Sequence, residues 1–119
     1  MDEKCPIYRT AGFVGKRWTI LILAELSRGK SQWKRYSQIK KGLRGITPKM
    51  LSMRLRELEE DGMIKRRVST DVFPVRSEYS LTPMGAGLVD VLRGMREWAI
   101  KWKVKNVHCD SATCAECEI

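Results

Sequence analysis

Residues 47–62 (Thr-Pro-Lys-Met-Leu-Ser-Met-Arg-Leu-Arg-Glu-Leu-Glu-Glu-Asp-Gly) combine a helix start, a helix stop and a helical period in one stretch. The Thr47 hydroxyl can accept a hydrogen bond from an orphan N–H of a first turn. Pro48 falls where its missing N–H costs nothing and its fixed φ suits a helix. Gly62 stands where a left-handed residue past the C-terminus is expected. Leu51, Leu55 and Leu58 recur at four and three residues and form one apolar stripe. At about 100° per residue, Lys49, Met53 and Arg56 point the opposite way, with Ser52 and Met50 on the flanks. The acids Glu57, Glu59, Glu60 and Asp61 are confined to the C-terminal half, the reverse of what a helix dipole favours. Two readings fit this face: a solvated surface of mixed charge, or a recognition helix whose basic N-terminal half meets phosphates and base edges.

Charge placement bears on that choice. The chain of 119 residues carries a formal net charge of +9, and residues 28–76 hold 14 Lys and Arg against 5 Asp and Glu, which is the entire excess. Such a localised basic block is the electrostatic footprint of a nucleic-acid binder. An anionic membrane would attract it too, but the block lacks the broad apolar face of an interfacial helix. The length suits one domain. No apolar run approaches the ~20 residues needed to span a bilayer, and the acidic start Met1-Asp2-Glu3-Lys4 is unlike a signal peptide. The chain is therefore expected in the cytoplasm, away from membranes.

Around the central stretch, Cys5-Pro6 opens a short helix through Phe13, with Ile7, Ala11 and Val14 at helical spacing. Residues 17–27 are apolar on most sides and predict a buried helix. Residues 33–43 predict the next, with Trp33, Tyr36, Ile39 and Leu43 inward and Lys34, Arg35, Lys40 and Lys41 outward. A short Gly-containing connection then leads to Thr47, which gives a helix-turn-helix pattern. Residues 63–69 and 77–81 read as two strands around a loop with Asp71 and Pro74. A two-stranded ribbon directly after a recognition helix is a wing, and this one carries Lys65, Arg66, Arg67 and Arg76. Thr82-Pro83 repeats the cap-plus-proline start, opening a helix to about residue 105. Its Leu88, Val91, Met95, Trp98 and Trp102 form a seam that predicts a partner subunit, packing back on the first helices, or both.

The fold class expected is mainly α with a small β-hairpin: a winged helix-turn-helix whose C-terminal helix offers a dimer seam. Residues 1–107 would form it, with a Cys-rich tail over 108–119. The expected DNA-binding set is Lys49, Ser52, Met53 and Arg56 in the major groove, with Thr47 and Met50 beside them. Lys34, Arg35 and Tyr36 would lie near the backbone, and Arg66, Arg67 and Arg76 on the wing.

The matching segments Cys5-Pro6, Arg17-Trp18-Thr19-Ile20-Leu21-Ile22-Leu23, Gly45-Ile46-Thr47, Lys49-Met50-Leu51, the run from Arg54 to Gly62, and Glu78-Tyr79-Ser80-Leu81-Thr82 give the chain a family resemblance. It resembles the HxlR-type transcriptional regulators, winged-helix proteins related to the MarR group. The resemblance implies a homodimer held by the terminal helices on a palindromic operator of double-stranded DNA. The family's wing tip reads Val-Pro-Pro-Arg-Val, whereas this chain has Phe73-Pro74-Val75-Arg76-Ser77. Arg76 is kept and the second proline is lost. Some members sense electrophiles or oxidants through a cysteine near the N-terminus, and Cys5 occupies that position. A thiol at a helix N-terminus, one turn before Arg9, is suited to that chemistry. The alternative is a small residue that simply packs.

The tail has no counterpart in the family pattern. Cys109, Cys114 and Cys117, with His108, offer thiolate and imidazole ligands within ten residues. Zinc suits tetrahedral thiolates, and the Cys spacing also occurs in iron–sulfur proteins. A disulfide switch and an inert tail remain open beside a metal or cluster. No enzyme is expected. The Cys-x2-Cys at 114–117 lacks the βαβ setting of a thiol oxidoreductase, and phosphate loops and Ser/His/Asp sets are absent. The other function class that fits is a non-specific architectural DNA- or RNA-binding protein with a structural metal tail.

Overall fold

The same device opens the two longest helices. In a computed structural model describing residues 2–71, 73 and 75–102, Thr47 Oγ1 accepts from Met50 N–H at 3.1 Å and Thr82 Oγ1 accepts from Gly85 N–H at 3.2 Å. Pro48 and Pro83 follow as the first helical residues. The order is α1 (Pro6–Val14), α2 (Arg17–Ser27), β1 (Lys34–Arg35), α3 (Tyr36–Gly42), α4 (Pro48–Glu60), β2 (Ile64–Ser69), β3 (Arg76–Leu81) and α5 (Pro83–Lys101). Gly62, at φ +81°, ends α4 in the left-handed region, where a Cβ is strained.

The predicted stripe of α4 is the centre of the core. Leu51, Leu55 and Leu58 are buried together with Ile22 and Leu23 of α2, Ile39 of α3, Ile64 and Tyr79 of the sheet, and Val89 and Leu92 of α5. Because the cap fixes where α4 starts, it also fixes which residues face this core. Thr47→Ala should cost about 1 kcal/mol. Thermal denaturation checks this; an unchanged melting temperature would show that the cap carries no net stability.

One sequence expectation is corrected here. Residues 33–43 are not one helix: Trp33 stands outside it, and Lys34 and Arg35 form β1. That strand pairs antiparallel with β3, Lys34 opposite Tyr79 and Arg35 opposite Glu78. The helix begins only at Tyr36, where Gln38 Oε1 accepts from Arg35 N–H at 2.9 Å. The ribbon is accordingly part of a three-stranded sheet in the order β1-β3-β2. In α5 the structure separates the two alternatives left open for its seam, which Leu92 and Ala99 widen in the sequence. The inward face of this helix is Gly85, Val89 and Leu92, one residue round from part of the predicted seam. Val91, Met95, Trp98 and Trp102 are exposed, the two indoles at 60% and 63%. α1 buries none of its residues, and Ile7 stands out in solvent.

Candidate nucleic-acid interface

The outward face of α4 presents Lys49, Met53 and Arg56, all exposed. Neither Lys49 nor Arg56 has a hydrogen-bond or ion-pair partner among the described residues. Farther along, Arg54 bonds Glu57 at 2.8 Å and Lys16 approaches the same carboxylate at 3.6 Å. The Arg54 hydrogen bond in particular holds the Glu57 carboxyl below its ordinary range. Helix charges are therefore divided: Glu57 neutralises Arg54, while the N-terminal cations stay free. Met50 is half-buried against the core and Thr47 is occupied by capping, so both serve the helix itself. Tyr36 Oη donates to the Pro48 carbonyl at 3.2 Å and lies 3.3 Å from Ser52 Oγ, tying the start of α3 to the first turns of α4.

Strand alternation separates the wing arginines. Arg66 pairs across the ladder with Tyr79 and donates to Ser77 Oγ at 3.1 Å. Its neighbour Arg67 lies on the other sheet face, where it bonds Glu78 at 3.1 Å and its guanidinium sits 4.2 Å from the Trp33 ring centre. Lys65 reaches the same ring at 5.5 Å. The Lys34 ammonium donates to the Glu25 carbonyl of α2. Lys34 and Arg67 thus have internal partners, while Arg35 and Arg76 are exposed. The Arg76 side chain has no hydrogen-bond or ion-pair partner among the described residues.

Between α4 and the wing lies a cleft of about 370 Å³. Tyr36, Ser52, Arg56 and Arg66 of the predicted set meet there. Glu59, Ser77 and Tyr79 join them without having been anticipated as site residues. Helical spacing could have found Glu59, which is seven residues from Ser52 and three from Arg56. Ser77 needed the strand register. Burial pushes the Tyr79 phenol above its ordinary value, with Arg66 working against that shift and Glu59 adding to it.

Cys5 is the residue before α1, half-buried and free, with its carbonyl accepting from Arg9 N–H at 3.0 Å. The ligands proposed on the tail, His108, Cys109, Cys114 and Cys117, lie outside the described residues.

The family model described as HxlR-like helix-turn-helix matches residues 13–107. The chain belongs to the HxlR-like helix-turn-helix family. Among curated relatives it is 38% identical to the HTH-type transcriptional regulator YdeP of Bacillus subtilis, over 98% of this chain and 88% of that protein. A MarR-family regulator from Porphyromonas gingivalis is similar in structure, with a TM-score of 0.75 at 31% identity, over 83% of this chain and 93% of that one. The redox regulator HypR in its oxidised form is similar too, with a TM-score of 0.69 at 34% identity, over 80% and 94% of the two chains. This HxlR-like protein is a winged helix-turn-helix transcriptional regulator. Cys5 lies outside the span that the family model matches.

Proposed function

We propose that the chain acts as a homodimer on a palindromic operator, with α4 in the major groove and the wing along the flanking backbone. The observation that carries this reading is the pair Lys49 and Arg56, exposed and unpaired on the outer face of α4 while the inner face is locked in the core. A cation without an internal partner loses no hydrogen bond when it turns to DNA, and an Arg can address guanine O6 and N7 with two donors. Ser52 and Met53 complete the helix face, Tyr36 holds its pitch, and Arg35, Arg66 and Arg76 meet phosphates.

Arg56→Ala should cost about 1–3 kcal/mol on the preferred duplex and narrow its advantage over a random one. Fluorescence anisotropy with the promoter beside its own gene and with a scrambled duplex measures both. Equal loss on the two duplexes would remove Arg56 from base reading. Wild-type protein that binds every duplex alike would favour the architectural role instead.

The regulator works by occupying DNA, not by catalysis, and does so in the cytoplasm; no helix among the described residues is long and apolar enough to cross a membrane. Cys5 is its thiol switch. Its place at the start of α1 and the likeness to a redox regulator support that role. Residues 1–107 form the working domain. Cys109, Cys114, Cys117 and His108 are the candidate ligands of a separate tail site for zinc or an iron–sulfur cluster, against a disulfide switch or an inert tail, and elemental analysis with an absorption spectrum of anaerobically purified protein would decide among the three.

A further inference from the structure

The cleft between α4 and the wing contains two guanidinium groups and one carboxylate. Arg56 and Glu59 come from successive turns of α4, and Arg66 from β2 faces them. Among the described residues neither the Arg56 nor the Glu59 side chain has a hydrogen-bond or ion-pair partner. Arg66 directs one nitrogen to Ser77 Oγ, which orients the group and leaves the rest of its five N–H donors for a ligand. Tyr36 has a single proton, donated to the Pro48 carbonyl. In the 3.3 Å contact between Ser52 Oγ and Tyr36 Oη, Ser52 is therefore the donor and its proton is already engaged. An Arg fork open to solvent beside α4 matches the tetrahedral oxygens of a phosphodiester. Glu59 does not match them. A carboxylate within the same cleft repels an entering phosphate.

We infer that this cleft seats one phosphodiester of the DNA backbone, held by Arg66, and that Glu59 limits the affinity of the complex. The inference rests on the DNA-binding reading above and names the chemical group that enters the cleft. Arg56 borders the cleft and keeps its role at the base edges.

Glu59 is exposed and unpaired, so Glu59→Gln leaves the fold intact, which circular dichroism and a thermal melt would verify. Anisotropy titrations over a salt series should show Glu59→Gln binding the promoter duplex and a scrambled duplex about three- to tenfold more tightly. Arg66→Ala should bind both about tenfold more weakly, with a salt slope smaller by roughly one ion. The gain from Glu59→Gln should shrink in the Arg66→Ala background, because the phosphate it favours has lost its clamp. Glu60→Gln removes the same charge one residue outside the cleft and should change affinity by less than about twofold.

If Glu60→Gln tightens binding as much as Glu59→Gln, net charge and not the cleft is responsible, and the proposal is overturned. It is equally overturned if Glu59→Gln and Arg66→Ala both leave affinity unchanged while Arg56→Ala still weakens it. DNA then binds α4 without entering the cleft, and the DNA-binding reading survives. Inorganic phosphate at matched ionic strength that raises the melting temperature of wild type, but not of Arg66→Ala, without displacing duplex would assign the cleft to free phosphate and overturn it too. Failure of wild type to bind any duplex would remove the DNA-binding reading itself.

Discussion

Gly85→Ala is expected to destabilise the protein by about 3 kcal/mol, lowering its melting temperature by about 10–15 °C. A Cβ at position 85 would lie 2.0 Å from the Met63 carbonyl oxygen and 3.2 Å from Leu81 Cδ2. The first of these atoms is backbone, so no rotamer change relieves the contact. Nor can the carbonyl retreat. It accepts from Thr82 N–H at 3.1 Å, and Met63 N–H in turn donates to the Leu58 carbonyl at the end of α4. Ile64, the next residue, is paired with Leu81 in the sheet. The start of α5 would have to move outward. It would loosen the Thr82 cap, which also donates to the Gly62 carbonyl, and pull Val89 and Leu92 from the core. Gly87, two residues on, is the internal control because a Cβ there meets nothing within 4 Å. Gly87→Ala should stabilise by up to about 1 kcal/mol through helix propensity alone. Equal melting temperatures for the two variants would mean that α5 does not pack this closely on Met63.

Gly85 illustrates what could be read from the chain and what could not. Thr82-Pro83 announced the helix, but nothing local says that its third residue touches Met63, between α4 and β2. The contact exists only after β2 and β3 have folded the chain back. Local signals worked where the physics was local: the Thr47 cap, the Leu51/Leu55/Leu58 stripe, the left-handed Gly62 and the strand alternation. β1 was missed for the converse reason. Trp33 and Tyr36 are three residues apart and fit a helix, whereas the partner that draws Lys34 and Arg35 into a strand is Tyr79 and Glu78, some 45 residues later. Within the candidate site, the cations of α4 followed from helical geometry. That Arg66 faces the cleft while Arg67 stacks on Trp33 depends on which sheet face α4 covers, and period-two alternation alone leaves that choice open. The α5 pattern held two apolar stripes side by side, and composition could not say which one the monomer's own core would take.

Because the core takes Val89 and Leu92, the other stripe is open to the second subunit of the proposed dimer, and Trp98→Glu is expected to break that dimer. Val91, Met95, Trp98 and Trp102 are spaced by four, three and four residues, the repeat of a two-helix seam. Each is at least 45% exposed in the single chain. Val91, Gly94, Met95, Trp98 and Ala99 surround an apolar groove of about 530 Å³, which a large side chain from a twin helix can fill. Trp98 is the natural anchor: buried Trp residues are among the strongest contributors at interfaces, and a carboxylate in their place would have to be desolvated unpaired. Dimerisation should weaken about a hundredfold or more, roughly 3 kcal/mol. Light scattering would then find wild type dimeric and Trp98→Glu monomeric at micromolar concentration, with unchanged helical circular dichroism because the indole lies outside the monomer core. Operator affinity should fall by about a hundredfold too, since two half-sites held by one dimer act at high effective concentration and two monomers do not. A single half-site duplex should be bound equally by both forms. A Trp98→Glu protein that stays dimeric and keeps its operator would place the subunit contact elsewhere and leave the α5 groove unexplained.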